Sequence, residues 1–295
     1  MEIGDWKATR ELNAVYRRAR ELGIETNLAE LEAFGFTIVE PEKAAPAGFA
    51  ERMLEATRGL LGAEDSHHVA YNTAEKRAVD GRHLFHLMGK DPVFAEAALN
   101  PVMLTLAKYL MGASVRLFST VAFVKQGRAA PTLLHSDSVG VPPPLPPFAQ
   151  VCNLSWILTD YTEEKGSFAI VPGSHRYCRH PTFIEQPRCL GGQNEDMCIP
   201  IVAKPGSIFA FSGNAWHGAY PKQDDALRVH IAYAFARSYV DPAEDFDDLP
   251  HELVERYGAD MAQLLGRTAW QGYGSAGPDS ARMAATARIN VTASA

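Results

Sequence analysis

Several common signals are missing from this chain, and each absence removes a class of function. Its 295 residues include four cysteines, Cys152, Cys178, Cys189 and Cys198, and no two of them make a C-x-x-C pair. That spacing excludes zinc ribbons and thioredoxin-like redox motifs. Free thiols in a reducing cytoplasm are the expected state, with a Cys189–Cys198 bridge left open. No apolar run approaches the length of a membrane span. Met1 to Arg10 is charged and lacks an apolar core, so it does not read as a signal peptide. There is no basic run, and the net charge of −7 argues against a general grip on nucleic acid. What is present is ordinary for a globular protein: 46% hydrophobic and 21% charged residues.

The pattern divides the chain into three parts of one expected domain spanning 1–295. Residues 1–112 read as mainly helical. Asp5 can cap a helix that Gly23 stops, with Trp6, Leu12, Val15, Tyr16 and Ala19 near one face. Asn27 and Glu30 resemble a variant capping box for a second helix ending at Gly35. Phe36 to Val39 reads as a strand, and helical patterns return at 48–61 and 92–111. Residues 113–240 change character. Short β-rich runs at 115–124, 150–159, 168–171, 208–211 and 228–236 alternate with turn residues, which suggests a sandwich or jelly roll. Residues 241–295 begin acidic, form a helix over 251–265, and end in a Gly/Ser/Ala-rich tail expected to be disordered. The proline-rich 141–148 segment cannot be a central strand. It is either a stiff loop near a site or a plain connector.

Four residues carry the chemistry. His135 and Asp137 are two apart, so on an extended strand they point the same way. His217 is distant in sequence, and Arg228 follows it by eleven residues. Two imidazoles and a carboxylate suit a non-haem Fe(II) ion on one face and leave the opposite positions open. Each residue alone is better explained as a cap, turn or core residue; the combination is what points to a metal. Small residues flank His217 and leave room beside a metal. Arg228 lies in an apolar run, where a guanidinium needs an anion, supplied by a ligand carboxylate or an internal Asp or Glu. His67, His68, His83 and His86 lie in the helical part without a matching carboxylate, and surface or supporting roles are expected of them. His230, two after Arg228, reads as an ordinary packed or exposed histidine.

With these residues stands the run Trp156-Ile157-Leu158-Thr159-Asp160-Tyr161, continuing through Gly166-Ser167 to Pro172-Gly173-Ser174-His175. Together with Phe36 to Val39, Pro92-Val93-Phe94 and the eleven-residue His-to-Arg step, it resembles the phytanoyl-CoA dioxygenase family of Fe(II)/2-oxoglutarate oxygenases over roughly 28–239. The resemblance implies a mainly β fold with flanking helices, a double-stranded β-helix (jelly-roll, cupin-like) core. It implies iron on His135, Asp137 and His217, and the distal carboxylate of 2-oxoglutarate on Arg228. It places Asn153 where relatives make a polar contact to the cosubstrate, and Trp156 either in the pocket or in the core. Ala219 departs from the hydroxyl residue that many relatives carry two after the distal histidine, and Lys165 replaces a usual Asn.

The expected function is a cytoplasmic dioxygenase that hydroxylates an unactivated C–H bond of a small or medium apolar metabolite, releasing succinate and CO2. Its partners are that substrate and O2, without nucleic acid or membrane, as a monomer or homodimer. Desaturation, epoxidation or ring formation remain open outcomes. A non-catalytic jelly-roll binding protein and a zinc hydrolase are the rival readings; the hydrolase would not need a buried Arg228. Arg176, Arg179 and Arg188 are either a phosphate patch for an acyl-CoA or a solvated loop face.

Overall fold

The computed structural model describes residues 7–62, 81–138, 140–268, 273–274 and 277–278. Asp5, Trp6, His67, His68 and most of the tail lie outside them. Two antiparallel sheets face one another. The large one has the order β1-β8-β5-β10-β3-β2, from strands β1 (Phe36–Val39), β2 (Arg82–Leu84), β3 (Arg116–Lys125), β5 (Val151–Ile157), β8 (Ile208–Ser212) and β10 (Arg228–Ala236). The small one has the order β4-β9-β6-β7, from β4 (Thr132–His135), β6 (Phe168–Ile170), β7 (Ile199–Pro200) and β9 (His217–Ala219). This is the jelly roll expected from the sequence. The short strands β4, β7 and β9 lacked a readable pattern of their own.

Strand alternation decides which side chains meet the interior. On β10, Val229, Ile231 and Tyr233 turn outward into a core shared with the helices, while Arg228, His230 and Ala232 line a cavity between the sheets. The outer face is covered by helices, so β10 is buried on both sides and reads as a nearly continuous apolar run. Its covering includes α1 (Lys7–Leu22), α2 (Glu25–Phe34), α3 (Pro41–Ala44), α4 (Phe49–Gly62), α5 (Pro92–Ala98), α6 (Pro101–Met111) and α7 (Glu252–Leu264). Ile157, Ile170, Phe209 and Phe211 form a second apolar cluster between the sheets.

Three local expectations are corrected. The helical pattern at 92–111 is two helices, because Asp91 and Asn100 each cap a new start; Asp91 accepts from Val93 N–H at 2.8 Å and Asn100 from Val102 N–H at 2.9 Å. Asn27 is not a cap. It lies inside α2, and its amide donates to Thr37 Oγ1 (2.8 Å) and to the Ile38 carbonyl (3.0 Å), tying the helix to β1. On α1, Val15 and Ala19 are buried, whereas Leu12 and Tyr16 are exposed. The helical part also contributes two strands to the large sheet, β1 as read from the sequence and β2 unforeseen.

Candidate active site

His135 ends β4, and Asp137 lies in the bend just beyond it rather than on the strand. His217 opens β9, directly opposite His135 in the ladder. Gly218 makes this approach feasible, since a Cβ there would sit 2.3 Å from the Thr132 carbonyl oxygen. The small residue beside His217 therefore makes room for the neighbouring strand, and it also lines the cavity beside the triad.

The three side chains converge. One potential ligand atom from each lies within 4.8 Å of the others. His135 Nε2 is 3.7 Å and His217 Nε2 3.6 Å from Asp137 Oδ1. Each imidazole is oriented from behind: Nδ1 of His135 meets the Leu133 carbonyl at 2.9 Å, and Nδ1 of His217 the Ala215 carbonyl at 3.1 Å. A carbonyl only accepts, so each Nδ1 carries a proton, and Nε2 is the ring atom that faces the Asp137 carboxylate. Burial pushes the His217 pKa down to about 4; nearby Asp137 opposes this and His135 adds to it. Neutral imidazole is the form that binds a metal. Two nitrogens and one carboxylate oxygen, with no thiolate among them, fit Fe(II) with positions to spare.

The triad opens onto a cavity of about 310 Å³, within the range of small-molecule sites. Arg228 lines it as well, 2% exposed. Its Nη1 donates to the Gly166 carbonyl, its guanidinium carbon lies 5.2 Å from the Tyr161 ring centroid, and its Nε has no hydrogen-bond partner among the described residues. No Asp or Glu meets it within ion-pair distance among the described residues, so the internal-carboxylate reading has no support. Lys125 sits opposite Arg228 in the β3–β10 register and lines the same cavity. Two cations side by side in one cavity suit an anionic ligand. Lys125 was not singled out from sequence, although a lysine closing the apolar run Val121-Ala122-Phe123-Val124 was a readable signal.

The other assignments sort by strand face. Asn153 lines the cavity, but its amide donates to Asp137 Oδ2, so it holds the carboxylate. Trp156, three residues on, falls on the opposite face. It is 0% exposed, belongs to the core beneath the helices, and packs against Phe49 with ring centroids 5.3 Å apart. The cofactor-binding role for Trp156 is thereby corrected to a core role; a one-residue step on a strand reverses the side. Ser155 and Ala219 line the cavity, the latter without a hydroxyl. His83, expected in a surface or supporting role on the helical part, and His230, expected as an ordinary packed or exposed histidine, also line it, with His83 on a strand and His230 buried. His230 stacks on Phe123 (4.8 Å between centroids, 8° between planes) and lies 3.3 Å from the Tyr161 hydroxyl. Burial holds its pKa well below the usual value, and Arg228, Lys125 and His83 push it the same way. His86 instead faces Glu244 at 3.2 Å.

The remaining readings concern the surroundings. Arg179 pairs with Glu185 at 2.6 Å, Arg176 reaches Glu32 at 3.8 Å, and Arg188 donates to the Gln193 carbonyl at 3.4 Å. Arg179 and Arg188 thus bind within the loop and Arg176 ties it to α2, so the three are not gathered as a phosphate patch. Residues 141–148 do not line the cavity; Leu145 N–H donates to the Cys178 carbonyl (2.7 Å), and the Pro146 carbonyl accepts from Asn214 (3.0 Å). Cys189 and Cys198 are thiols with their sulfurs 3.4 Å apart. No helix among the described residues is long and apolar enough to cross a membrane. A separate cavity of about 410 Å³ lies among α1, α6 and α7 and contains none of the triad.

Known proteins share these features. The dioxygenase af480 of Aspergillus fumigatus is 28% identical over 186 residues, 62% of this chain and 57% of that protein. The dioxygenase FrzG of a Cladobotryum species is 32% identical over 123 residues, 41% of this chain and 40% of that one. The matches thus span less than two thirds of either relative's length. Among solved structures, the non-heme alpha ketoglutarate dependent epimerase SnoN from nogalamycin biosynthesis superposes with a TM-score of 0.59 at 23% identity, covering 82% of this chain and 92% of that one. EctD from S. alaskensis gives 0.57 at 20% identity, covering 72% and 77%. At these identities the structural likeness establishes the shared fold alone. The sequence match is more specific: residues 31–229 match the phytanoyl-CoA dioxygenase (PhyH) family, a span that takes in β1, the triad, the Pro-Gly-Ser-His turn and Arg228. The chain belongs to the phytanoyl-CoA dioxygenase family.

Proposed function

We propose that this protein is an Fe(II)/2-oxoglutarate-dependent dioxygenase that hydroxylates an unactivated C–H bond of a small or medium apolar metabolite. His135, Asp137 and His217 would hold the iron, and Arg228 the distal carboxylate of 2-oxoglutarate. Bound iron with 2-oxoglutarate and O2 supplies the oxidising power, and succinate and CO2 are released. The observation that carries the reading is one cavity holding a His-Asp-His cluster together with a buried arginine that meets no carboxylate among the described residues. A zinc hydrolase leaves that arginine without a task, and a passive binding protein leaves the intact His-Asp-His set without one.

The chain's own residues have definable parts in this reaction. The Leu133 and Ala215 carbonyls hold a proton on Nδ1 of each histidine and turn Nε2 toward the position the metal would take. Asn153 holds the Asp137 carboxylate in orientation. Phe123, Phe168 and Phe211 line the cavity and exclude water from it. Hydroxylation is favoured over desaturation, epoxidation or ring formation as the simplest outcome of C–H attack; product analysis separates them. The reading extends to one oxygenase domain over 1–295 in a cytoplasm that keeps iron as Fe(II).

The test is anaerobic reconstitution with Fe(II) and 2-oxoglutarate, followed by a screen of apolar metabolites for substrate-dependent succinate release. His135→Ala is the control, since this half-exposed side chain contributes little core packing. Succinate release by the wild type and none by the variant supports the reading. Wild-type protein that neither binds nor consumes 2-oxoglutarate overturns it.

A further inference from the structure

Between β6 and β7 the chain makes a long excursion, residues 171–198, over the outer face of the small sheet. Leu190 and Cys198 pack there against Leu134, Ala169, Val171, Trp216 and Tyr220. One of the sheet's two edge strands is β4, which has a partner strand on one side only. Its open side would leave the Leu134 N–H and carbonyl without a ladder. The Gln186 side chain fills that place. Its Oε1 accepts from Leu134 N–H at 2.7 Å, and its Nε2 donates to the Leu134 carbonyl at 2.9 Å. One buried amide thus imitates a neighbouring strand at the residue preceding His135.

The same excursion grips the residues beside all three members of the triad. His180 Nδ1 lies 2.8 Å from Ser136 Oγ, and its Nε2 3.3 Å from the Val141 carbonyl. Because that carbonyl only accepts, Nε2 carries the proton and Nδ1 accepts from the Ser136 hydroxyl. Ser136 stands between His135 and Asp137. On the other side, Trp216 precedes His217. Its ring N–H donates to the Arg179 carbonyl at 2.9 Å, and its backbone N–H to Ser174 Oγ at 2.8 Å. The excursion is itself stiffened where it does this. Glu185 caps its short turn by accepting from Thr182 N–H at 2.8 Å and pairs with Arg179, whose guanidinium lies 4.6 Å from the Trp216 ring centroid. Gly192 lets the chain close on Gln186, since a Cβ there would sit 2.0 Å from the Gln186 carbonyl oxygen.

We propose that Gln186 and His180 are positioning residues that hold His135 and Asp137 in metal-binding geometry through the backbone on either side of them. This rests on the reading that the triad binds a metal ion. The physical reason is tolerance. A ligand set works only when held to within roughly half an ångström, and an edge strand with unpaired backbone groups cannot supply that alone. Neither residue touches the metal position, and neither is needed to form the cavity.

The experiment uses the full chain and Co(II) as probe. Gln186→Leu keeps the volume and removes both hydrogen bonds. Its Co(II) dissociation constant should rise roughly 10- to 100-fold, the usual effect of removing groups that orient metal ligands, and amide exchange should accelerate at Leu134. His180→Leu, on the less buried side, should weaken Co(II) in the same direction and serves if Gln186→Leu does not fold. A merely structural role would lower the melting temperature and speed exchange while leaving Co(II) affinity at the wild-type value; that result overturns the proposal. Wild-type protein that takes up no Co(II), and matches His135→Ala in this, would remove the metal reading itself and this proposal with it.

Discussion

Replacing Arg228 with Gln separates binding from folding, because the two effects should have different sizes. The guanidinium is 2% exposed, donates to one carbonyl, that of Gly166, and leaves Nε without a partner among the described residues. A buried cation in this state is costly unless an anion arrives. With 2-oxoglutarate bound, its loss removes a charge-assisted pair worth about 2–5 kcal/mol. At 1.4 kcal/mol per factor of ten, the dissociation constant should rise roughly 30- to 3000-fold. Without ligand the expectation differs. Arg228 faces Lys125 across the ladder, and like charges directly opposite destabilise a sheet. Gln retains a donor for Gly166, so unfolding free energy should change by about 1 kcal/mol or less. The assay is calorimetric titration of 2-oxoglutarate into Mn(II)-loaded protein, paired with thermal unfolding of the metal-free protein. Unchanged 2-oxoglutarate affinity together with a large loss of stability would refute the reasoning and make Arg228 a structural residue.

Three further outcomes follow from the geometry. Asn153→Ala removes the amide from Asp137 and should weaken Mn(II) binding about 10- to 100-fold by equilibrium titration; an unchanged affinity would return Asn153 to a cosubstrate role. Trp156→Ala should cost about 3–5 kcal/mol in denaturant unfolding, as for other buried aromatics, yet leave 2-oxoglutarate affinity intact in the folded fraction, since Trp156 faces the helices. The Glu185 pKa is held down at about 2, against an ordinary 4.5, mainly by hydrogen bonds from Arg179 and then from Thr182, against burial. A depressed carboxylate stabilises the fold above its unfolded pKa and loses that contribution as pH falls through the folded value. The melting-temperature gap between wild type and Glu185→Gln should therefore be full at pH 6 and close toward pH 2; a gap independent of pH would contradict the assignment.

Chemistry was legible in this sequence where side-chain type is costly to misplace. A guanidinium in an apolar strand needs an anion, so Arg228 stood out as a candidate, and its eleven-residue step from His217 gained meaning from the family resemblance. Five strands of the large sheet were legible because a helix layer covers their outer face and makes them largely apolar, whereas the three-residue β2 was not. The short strands β4 and β9 were not, since three or four residues carry too little alternation to show a period. Asn27 was misread because a polar residue at a helix start and one reaching across to a strand look alike until the strand is placed.

The chain itself carried the jelly-roll class through its short β-rich runs, the candidates His135, Asp137, His217 and Arg228 through spacing and side-chain chemistry, and the family through a resemblance in its motifs. Tertiary structure alone decided what lies beside them. Strand register assigned Asn153 to the cavity side and Trp156 to the core, because neighbouring side chains alternate and the starting side is set by pairing, not by composition. It brought Lys125 opposite Arg228 from about a hundred residues away in the chain. It also set Gln186 against the open edge of β4, because which backbone groups lack a partner is known only once the sheet has formed.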